Sequence, residues 1–287
     1  MNIIGIVGQT GSGKDTVADH LCLTHGAAKI SMADPIKRFG HHVFGFDDVQ
    51  LWGPSYARNS WDPRYKHCEI RSSGLTINPQ GSLSAVKRVC DIGWFRAVKA
   101  LVSYGPNWLS AVLPGCDVDK ELEVLCYWVA TLGHKYPELS PRIMLQHLGT
   151  EWGRQVAGED IWISLFLSEA KTLLTEHVGY HRAQGTFSLE PDEVASRPSV
   201  VVCPDVRFKN EITRIKAAGG HVIRVLRPST DSKAIKTGIG SHVSETEQQG
   251  LNPGDFDVIL QNKGSLEDLY ESVDLAASTL LKERLAR

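Results

Sequence analysis

Residues 8–16 read Gly-Gln-Thr-Gly-Ser-Gly-Lys-Asp-Thr, a glycine-rich loop ending in a cation and a hydroxyl. The apolar run Ile3–Val7 precedes it and a helical pattern from Val17 follows, the strand–loop–helix context that a phosphate loop requires. Successive backbone N–H groups in such a loop converge on a concavity at a helix N-terminus, a site for an anion. The helix dipole adds to that attraction. Lys14, placed by the spacing Gly8-x4-Gly13-Lys14, reaches the β- and γ-phosphates of a nucleoside triphosphate. Asp15 departs from the pattern, because Ser or Thr normally ligates magnesium there, and Thr16 supplies a hydroxyl one residue later. These residues predict a chain that binds a nucleotide.

Two further segments carry charge suited to phosphate chemistry. In Cys203-Pro-Asp205-Val-Arg207-Phe-Lys-Asn210-Glu211, an Asp just past a core strand stands where a carboxylate holds magnesium and its waters. Arg207 is placed to clamp a transferring phosphoryl group. Ligands of open α/β sheets bind outside the carboxyl ends of the strands, so both residues point the right way. The plainer reading is a helix-capping Asp and a surface Arg. The second segment, 141–154, is a helical pattern. At about 100° per residue Met144, Leu145, Leu148, Trp152 and Val156 form an apolar stripe. Arg142, Gln146, Gly149 and Gly153 share another face within about 60° on the same wheel, with Thr150 adjoining. Two helical glycines beside an Arg and a Gln make a shallow groove for a base or a phosphate, or equally a place for another helix to pack closely.

Near the second strand, Ala33-Asp34-Pro35-Ile-Lys37-Arg38 puts Asp34 at an N-cap and Pro35 at the first helical position. Lys37 and Arg38 remain available for an anionic substrate. The polar, glycine-punctuated stretch 229–254 follows Arg227 and reads as a lid or as an ordinary exposed loop; His242 lies within it.

These groups need a scaffold, and the chain encodes one. Strands are expected at 2–7, 27–31, 199–203, 221–226 and 256–260, several of them short β-branched runs suited to burial on both faces. Helical patterns separate them, including 210–218, closed by Gly219-Gly220, and a last helix from Ser265 with Asp268 as a capping partner. The fold class is therefore α/β, a parallel sheet with helices on both faces. Residues 45–140 break the rhythm and hold five of the seven tryptophans (52, 61, 94, 108 and 128). They read as an inserted, mainly helical subdomain with those rings as packing anchors or, for one of them, a base-stacking surface. The core is then 1–44 with 141–287. The polar stretch 179–198 reads as a surface loop.

Composition excludes several classes. A 287-residue chain with net charge −2 and no basic block is poorly suited to nucleic acid. No apolar run approaches a membrane span and no basic leader precedes the first strand, so neither membrane nor export is expected. Six scattered cysteines without a CxxC pair read as reduced thiols of a cytoplasmic protein. His20-x-Cys22-x2-His25 has the look of metal ligands, yet falls on the helix after the loop, where Cys22 reads as core.

Taken in order, Gly-Ser-Gly-Lys-Asp-Thr (11–16), Ala-Asp-Pro-Ile-Lys (33–37), Arg142-x3-Gln146-x2-Gly149-Thr150, Asp205-x-Arg207-Phe-x-Asn210-Glu211, Ser241-His-Val-Ser-Glu245 and Asn262-Lys-Gly-Ser265 resemble the deoxynucleoside monophosphate kinases of bacteriophages. These are a branch of the P-loop nucleoside monophosphate kinases, and Asp after the loop lysine is a habit of the group. The resemblance runs nearly the whole length but is poor between about 66 and 140. It implies a three-layer P-loop NTPase fold with a five-stranded parallel sheet. It implies ATP-dependent phosphorylation of a deoxynucleoside monophosphate to the diphosphate, with magnesium, in a host cytoplasm and as a homodimer.

Residue by residue, it implies that 11–16 and Arg227 hold ATP, and that Asp15, Thr16 and Asp205 serve magnesium. Arg142, Gln146, Gly149, Thr150 and Trp162 would line the monophosphate site, with Asp34, Lys37 and Arg38 at its edge. Lys14, Arg207, Arg142 and Asp205 would act at the reaction centre. The nearest alternative is another small-molecule kinase of this fold, acting on dephospho-coenzyme A or phosphomevalonate. A P-loop switch protein that hydrolyses nucleotide slowly is the alternative from another class.

Overall fold

Ile3–Val7 (β1) is buried along its whole length and lies at the middle of the sheet, which explains why its sequence is uniformly apolar. The computed structural model describes residues 1–65, 92–136, 138–176, 178–183, 186–191, 197–228 and 250–282. The chain divides into two compact units, 1–32 with 162–181 and 188–287, and 33–161 with 182–187.

The first unit is built on five parallel strands. Besides β1 they are Ala27–Lys29 (β2), Val200–Val206 (β5), His221–Leu226 (β6) and Val258–Gln261 (β7), in the order β2-β5-β1-β6-β7. The strands numbered between, Val178–Ala183 (β3) and Thr186–Pro191 (β4), pair as a separate two-stranded sheet. The polar composition of 179–198 predicts a surface loop instead. The alternation Phe187-Ser-Leu189-Glu is a strand signal that the polar composition obscured.

Period-two alternation sends the two faces of β1 to different helices. Ile4 and Ile6 join Val17 and Leu21 of Lys14–His25 (α1) and Leu269, Val273 and Leu280 of the last helix, Leu266–Lys282, in one core. Gly5 faces the other way. A Cβ there would lie 2.8 Å from Ile215 Cδ1 of Lys209–Ala217 (α9), so glycine lets that helix approach. Helices therefore cover both faces, as expected of a three-layer P-loop NTPase-like fold. The last helix starts as its sequence indicates: Asp268 N–H donates to Ser265 Oγ (3.1 Å) and Ser265 N–H to Asp268 Oδ2 (2.8 Å). His20 and His25 of α1 both bond Asp274 Oδ1 of that helix, at 2.9 Å each, so they join two helices.

The second unit is helical. In chain order it holds Asp34–Phe44 (α2), Asp48–Trp52 (α3), Ser55–Asn59 (α4), Ile92–Val112 (α5), Val118–Lys135 (α6) and Pro141–Gln146 (α7). A π-helix, His147–Ala157, continues α7. Its core is aromatic: Phe44 stacks on Phe46, Tyr65 packs edge-on to Trp94, and Trp108 lies between Phe39 and Trp152. Trp94 and Trp108 are buried anchors, and Trp108 Nε1 donates to the Pro35 carbonyl at 3.1 Å. Asp62 is enclosed by a bidentate Arg64 and by Gln50.

Candidate functional site

The loop between β1 and α1 is shaped by glycine. Gly11 and Gly13 have φ of +83° and +100°, conformations that side-chain-bearing residues rarely adopt, and Gly13 forms the N-cap of α1. At Gly8 a Cβ would lie 2.4 Å from Ser12 Oγ and 3.0 Å from the Val225 carbonyl. Ser12 is buried under Gly8, and its hydroxyl has no hydrogen-bond partner among the described residues; neither has Gln9 Oε1. Buried polar atoms in native proteins are normally paired, and the Ser12 hydroxyl is a donor that a phosphate oxygen would satisfy, whereas Gln9 Oε1, itself an acceptor, calls for a donor. Lys14, largely covered, bonds through Nζ to Asp15 Oδ2 at 2.8 Å, and Asp15 is exposed. Asn262, after β7, donates from Nδ2 to the Ser12 carbonyl at 2.8 Å, and Arg227 Nη1 stands 3.5 Å from the Gly11 carbonyl.

The adjacent strand end carries Asp205. β5 runs three residues further than its apolar pattern indicated, so Asp205 lies within it and not beyond it. Gly5 faces Cys203 while Val7 faces Val206, so β5 gains one residue opposite Ile6. Pro204 cannot donate to the ladder, and a bulge at that point re-aims the following side chain. Asp205 Oδ1 accepts the Met32 N–H (3.0 Å) and the Cys203 thiol (3.2 Å). Burial, with the Asp205 charge beside it, holds that thiol well above its ordinary pKa. Arg207 is exposed. Its backbone N–H and that of Phe208 both donate to Glu211 Oε2, at 2.7 and 3.0 Å, and Glu211 is only 4% exposed. Thus Glu211 fixes the turn that presents Asp205 and Arg207, a role legible only as a glutamate three residues inside a helix start. Thr16, Asp15 and Asp205 offer the hard oxygen donors that magnesium prefers, so the donor chemistry suits that ion.

Five of the expected monophosphate-side residues other than Trp162 lie with Arg142 and Asp34 in the second unit. Asp34 is the first residue of α2 and Ala33 its N-cap, one place earlier than the sequence indicated. The reason lies in its partners: the Asp34 carboxylate is buried, accepts Trp52 Nε1 at 3.2 Å and faces Lys37 Nζ at 3.8 Å. Lys37 also lies 5.6 Å from the centroid of the Trp52 ring. Sequence reasoning gave Trp52 no specific partner, and its link to Asp34 spans 18 residues. Near Arg38, His42 stacks on Tyr104; burial, then the neighbouring His41 and the Arg38 guanidinium, push His42 below its ordinary pKa. Arg142, Gln146, Gly149 and Thr150 are half-buried.

Close helix packing accounts for part of this face. A Cβ on Gly149 would lie 3.1 Å from Ile36 Cδ1 of α2, so that glycine serves the helix contact. The apolar stripe also drifts: Met144, Leu148 and Trp152 are fully buried, whereas Val156 is 59% exposed. From His147 the helix pairs i to i+5, its turns widen, and a wheel drawn for 3.6 residues misplaces everything downstream. Trp162 opens the part of Ile161–Thr175 (α8) assigned to the first unit, and its ring is buried. Of the expected lid, 229–249 lies outside the described residues, His242 included.

The profile of the deoxynucleotide monophosphate kinase family matches residues 129–273, from within α6 into the last helix. Over nearly its whole length the chain is similar to the deoxynucleotide monophosphate kinase of Enterobacteria phage T4. They are 23% identical over 276 residues, 95% of this chain and 97% of that one. The corresponding kinase of Escherichia phage RB69 is 24% identical over 285 residues, 96% of this chain and 98% of its own. An Acanthamoeba polyphaga mimivirus protein named for the same activity is 24% identical over 275 residues, 95% and 94% of the two chains.

Proposed function

Because the chain belongs to the deoxynucleotide monophosphate kinase family and is a nucleotide kinase, we propose that it transfers the γ-phosphoryl group of ATP to a deoxynucleoside monophosphate. The products are the deoxynucleoside diphosphate and ADP. The observation that carries this reading is the loop 8–16, with its left-handed glycines, its terminal lysine and a buried Ser12 hydroxyl without a partner. Residues 11–16 and Arg227 hold the triphosphate. Arg142, Gln146, Gly149, Thr150 and Trp162 receive the monophosphate, with Asp34, Lys37 and Arg38 as its bordering charges.

The chemistry asks for positioning and charge, not for a protein base. A monophosphate oxygen is already anionic at neutral pH and attacks the γ-phosphorus in line. Lys14 exchanges Asp15 for the phosphates, and Lys14, Arg207 and Arg142 stabilise the charge spread over the equatorial oxygens. Magnesium, bound with ATP and served by Thr16, Asp205 and Asp15, would neutralise phosphate charge further. Glu211 keeps Arg207 in place through the backbone.

An acceptor screen tests this. With Mg·ATP, the deoxynucleoside monophosphates should accelerate ADP formation and yield deoxynucleoside diphosphates by chromatography. Product only from dephospho-coenzyme A or phosphomevalonate would transfer the protein to another kinase class. ATP turnover indifferent to every acceptor would favour a switch protein.

A further inference from the structure

Asn262 has no part in the phosphoryl chemistry described above, yet it is tied directly to the loop. Its backbone N–H donates to the Leu226 carbonyl at 2.8 Å, which pins it beside the end of β6. From there Nδ2 donates to the Ser12 carbonyl, also at 2.8 Å, across 250 residues of chain. A Cβ on Gly13 would lie 2.6 Å from the same Nδ2, so the amide fills the space a side chain would take. In a trans peptide the C=O and the next N–H point in opposite directions. Holding the Ser12 carbonyl toward Asn262 therefore turns the Gly13 N–H the other way.

We propose that Asn262 is a positioning residue for the phosphate loop: it sets the Ser12–Gly13 peptide so that the Gly13 N–H is aimed at a nucleotide phosphate before any nucleotide arrives. The loop peptide is otherwise flanked by two glycines, Gly11 and Gly13, which adopt left-handed and right-handed backbone about equally well. Within the loop the Ser12 N–H donates to the Gln9 carbonyl at 3.0 Å, and the bond from Asn262 adds a hold on the Ser12 carbonyl from outside. Arg227 approaches the neighbouring Gly11 carbonyl, so the loop is held at consecutive residues. Pre-orientation matters because a donor already aimed at its anion needs no reorganisation when the anion binds.

The inference rests on the nucleotide-binding reading, and the test separates the two. Mg·ADP is titrated calorimetrically into the wild-type protein, Asn262→Ala and Asn262→Asp, with unliganded melting temperatures recorded alongside. Wild-type protein binds Mg·ADP; if it does not, the nucleotide reading itself fails. Asn262→Ala should bind about tenfold more weakly, the scale of one lost hydrogen bond and a misaimed donor. Asn262→Asp, which keeps the size but sets a carboxylate against the Ser12 carbonyl, should be weaker still. The free proteins should melt within a few degrees of one another, which a purely structural role does not combine with a lost affinity. An Asn262→Ala protein that binds Mg·ADP within twofold of wild type overturns the proposal. So does failure of both variants to fold, since Asn262 would then belong to the fold and not to the site.

Discussion

Lys14 bonds its own neighbour Asp15, so the cation sits at the mouth of the loop, paired but mostly covered and ready to exchange partners. Lys14→Ala should lose at least ~10³-fold in turnover, about 4 kcal/mol of transition-state stabilisation, with the fold intact by circular dichroism. A folded variant with near-normal rates would remove the lysine from the mechanism. Glu211 is a different kind of residue, structural in contact and functional in effect. Glu211→Ala leaves the Arg207 and Phe208 N–H groups without their acceptor, about 1–3 kcal/mol of desolvation each, and should lower both melting temperature and turnover. Asp62 gives a pH signature. Burial pushes its carboxyl up, but hydrogen bonds from Arg64 and Gln50 outweigh this and leave it below its ordinary value of about 3.9. A carboxylate lowered on folding stabilises above the unfolded pKa, and that contribution is lost as pH falls through the folded one. Asp62→Asn should therefore be less stable than wild type at neutral pH, with the gap in urea midpoints closing below about pH 4.

At the scale of elements, legibility followed locality. The phosphate loop could be read because its chemistry lies within nine consecutive positions, and the strands because burial on both faces makes them uniformly apolar. Asn262 and Trp52 could not, since each acquires its meaning from a partner distant in sequence. The π-helix after Gln146 was hidden for another reason: apart from Gly149 and Gly153 the apolar spacing of His147–Ala157 is that of an ordinary helix, and the slackened pitch surfaces only in the exposure of Val156. Helix packing in the second unit can be tested at Gly133 of α6. A Cβ there would lie 2.9 Å from Cε2 of Trp94, a buried ring on α5 with no room to retreat. Gly133→Ala gains about 1 kcal/mol of helix propensity but incurs about 1–3 kcal/mol of overpacking, so thermal melts should show a net loss. Gly254, where an added Cβ meets nothing within 4 Å, is the control; Gly254→Ala should match or slightly exceed wild type.

For the whole molecule, the order β2-β5-β1-β6-β7 sets the phosphate loop, the Asp205 bulge and the Asn262 turn at the carboxyl ends of neighbouring strands, where open parallel sheets bind ligands. One sheet edge thus gathers residues from 11 to 262, which is why the fold had to be known before their partnership was visible. The helical second unit, whose described portion carries Asp34, Lys37 and Arg142, has fewer sequence landmarks; tryptophans marked its core at 94 and 108 but not at 61, which is 45% exposed, and gave no hint of the Asp34–Trp52 bond. The fate of the γ-phosphoryl group decides the function. The direct measurement is to supply ATP labelled at the γ-phosphate together with magnesium and the deoxynucleoside monophosphates, and to separate the products. The label should appear in the β-phosphate of a deoxynucleoside diphosphate, with little inorganic phosphate formed. Label found only in inorganic phosphate, at a rate indifferent to the monophosphates, would contradict the account.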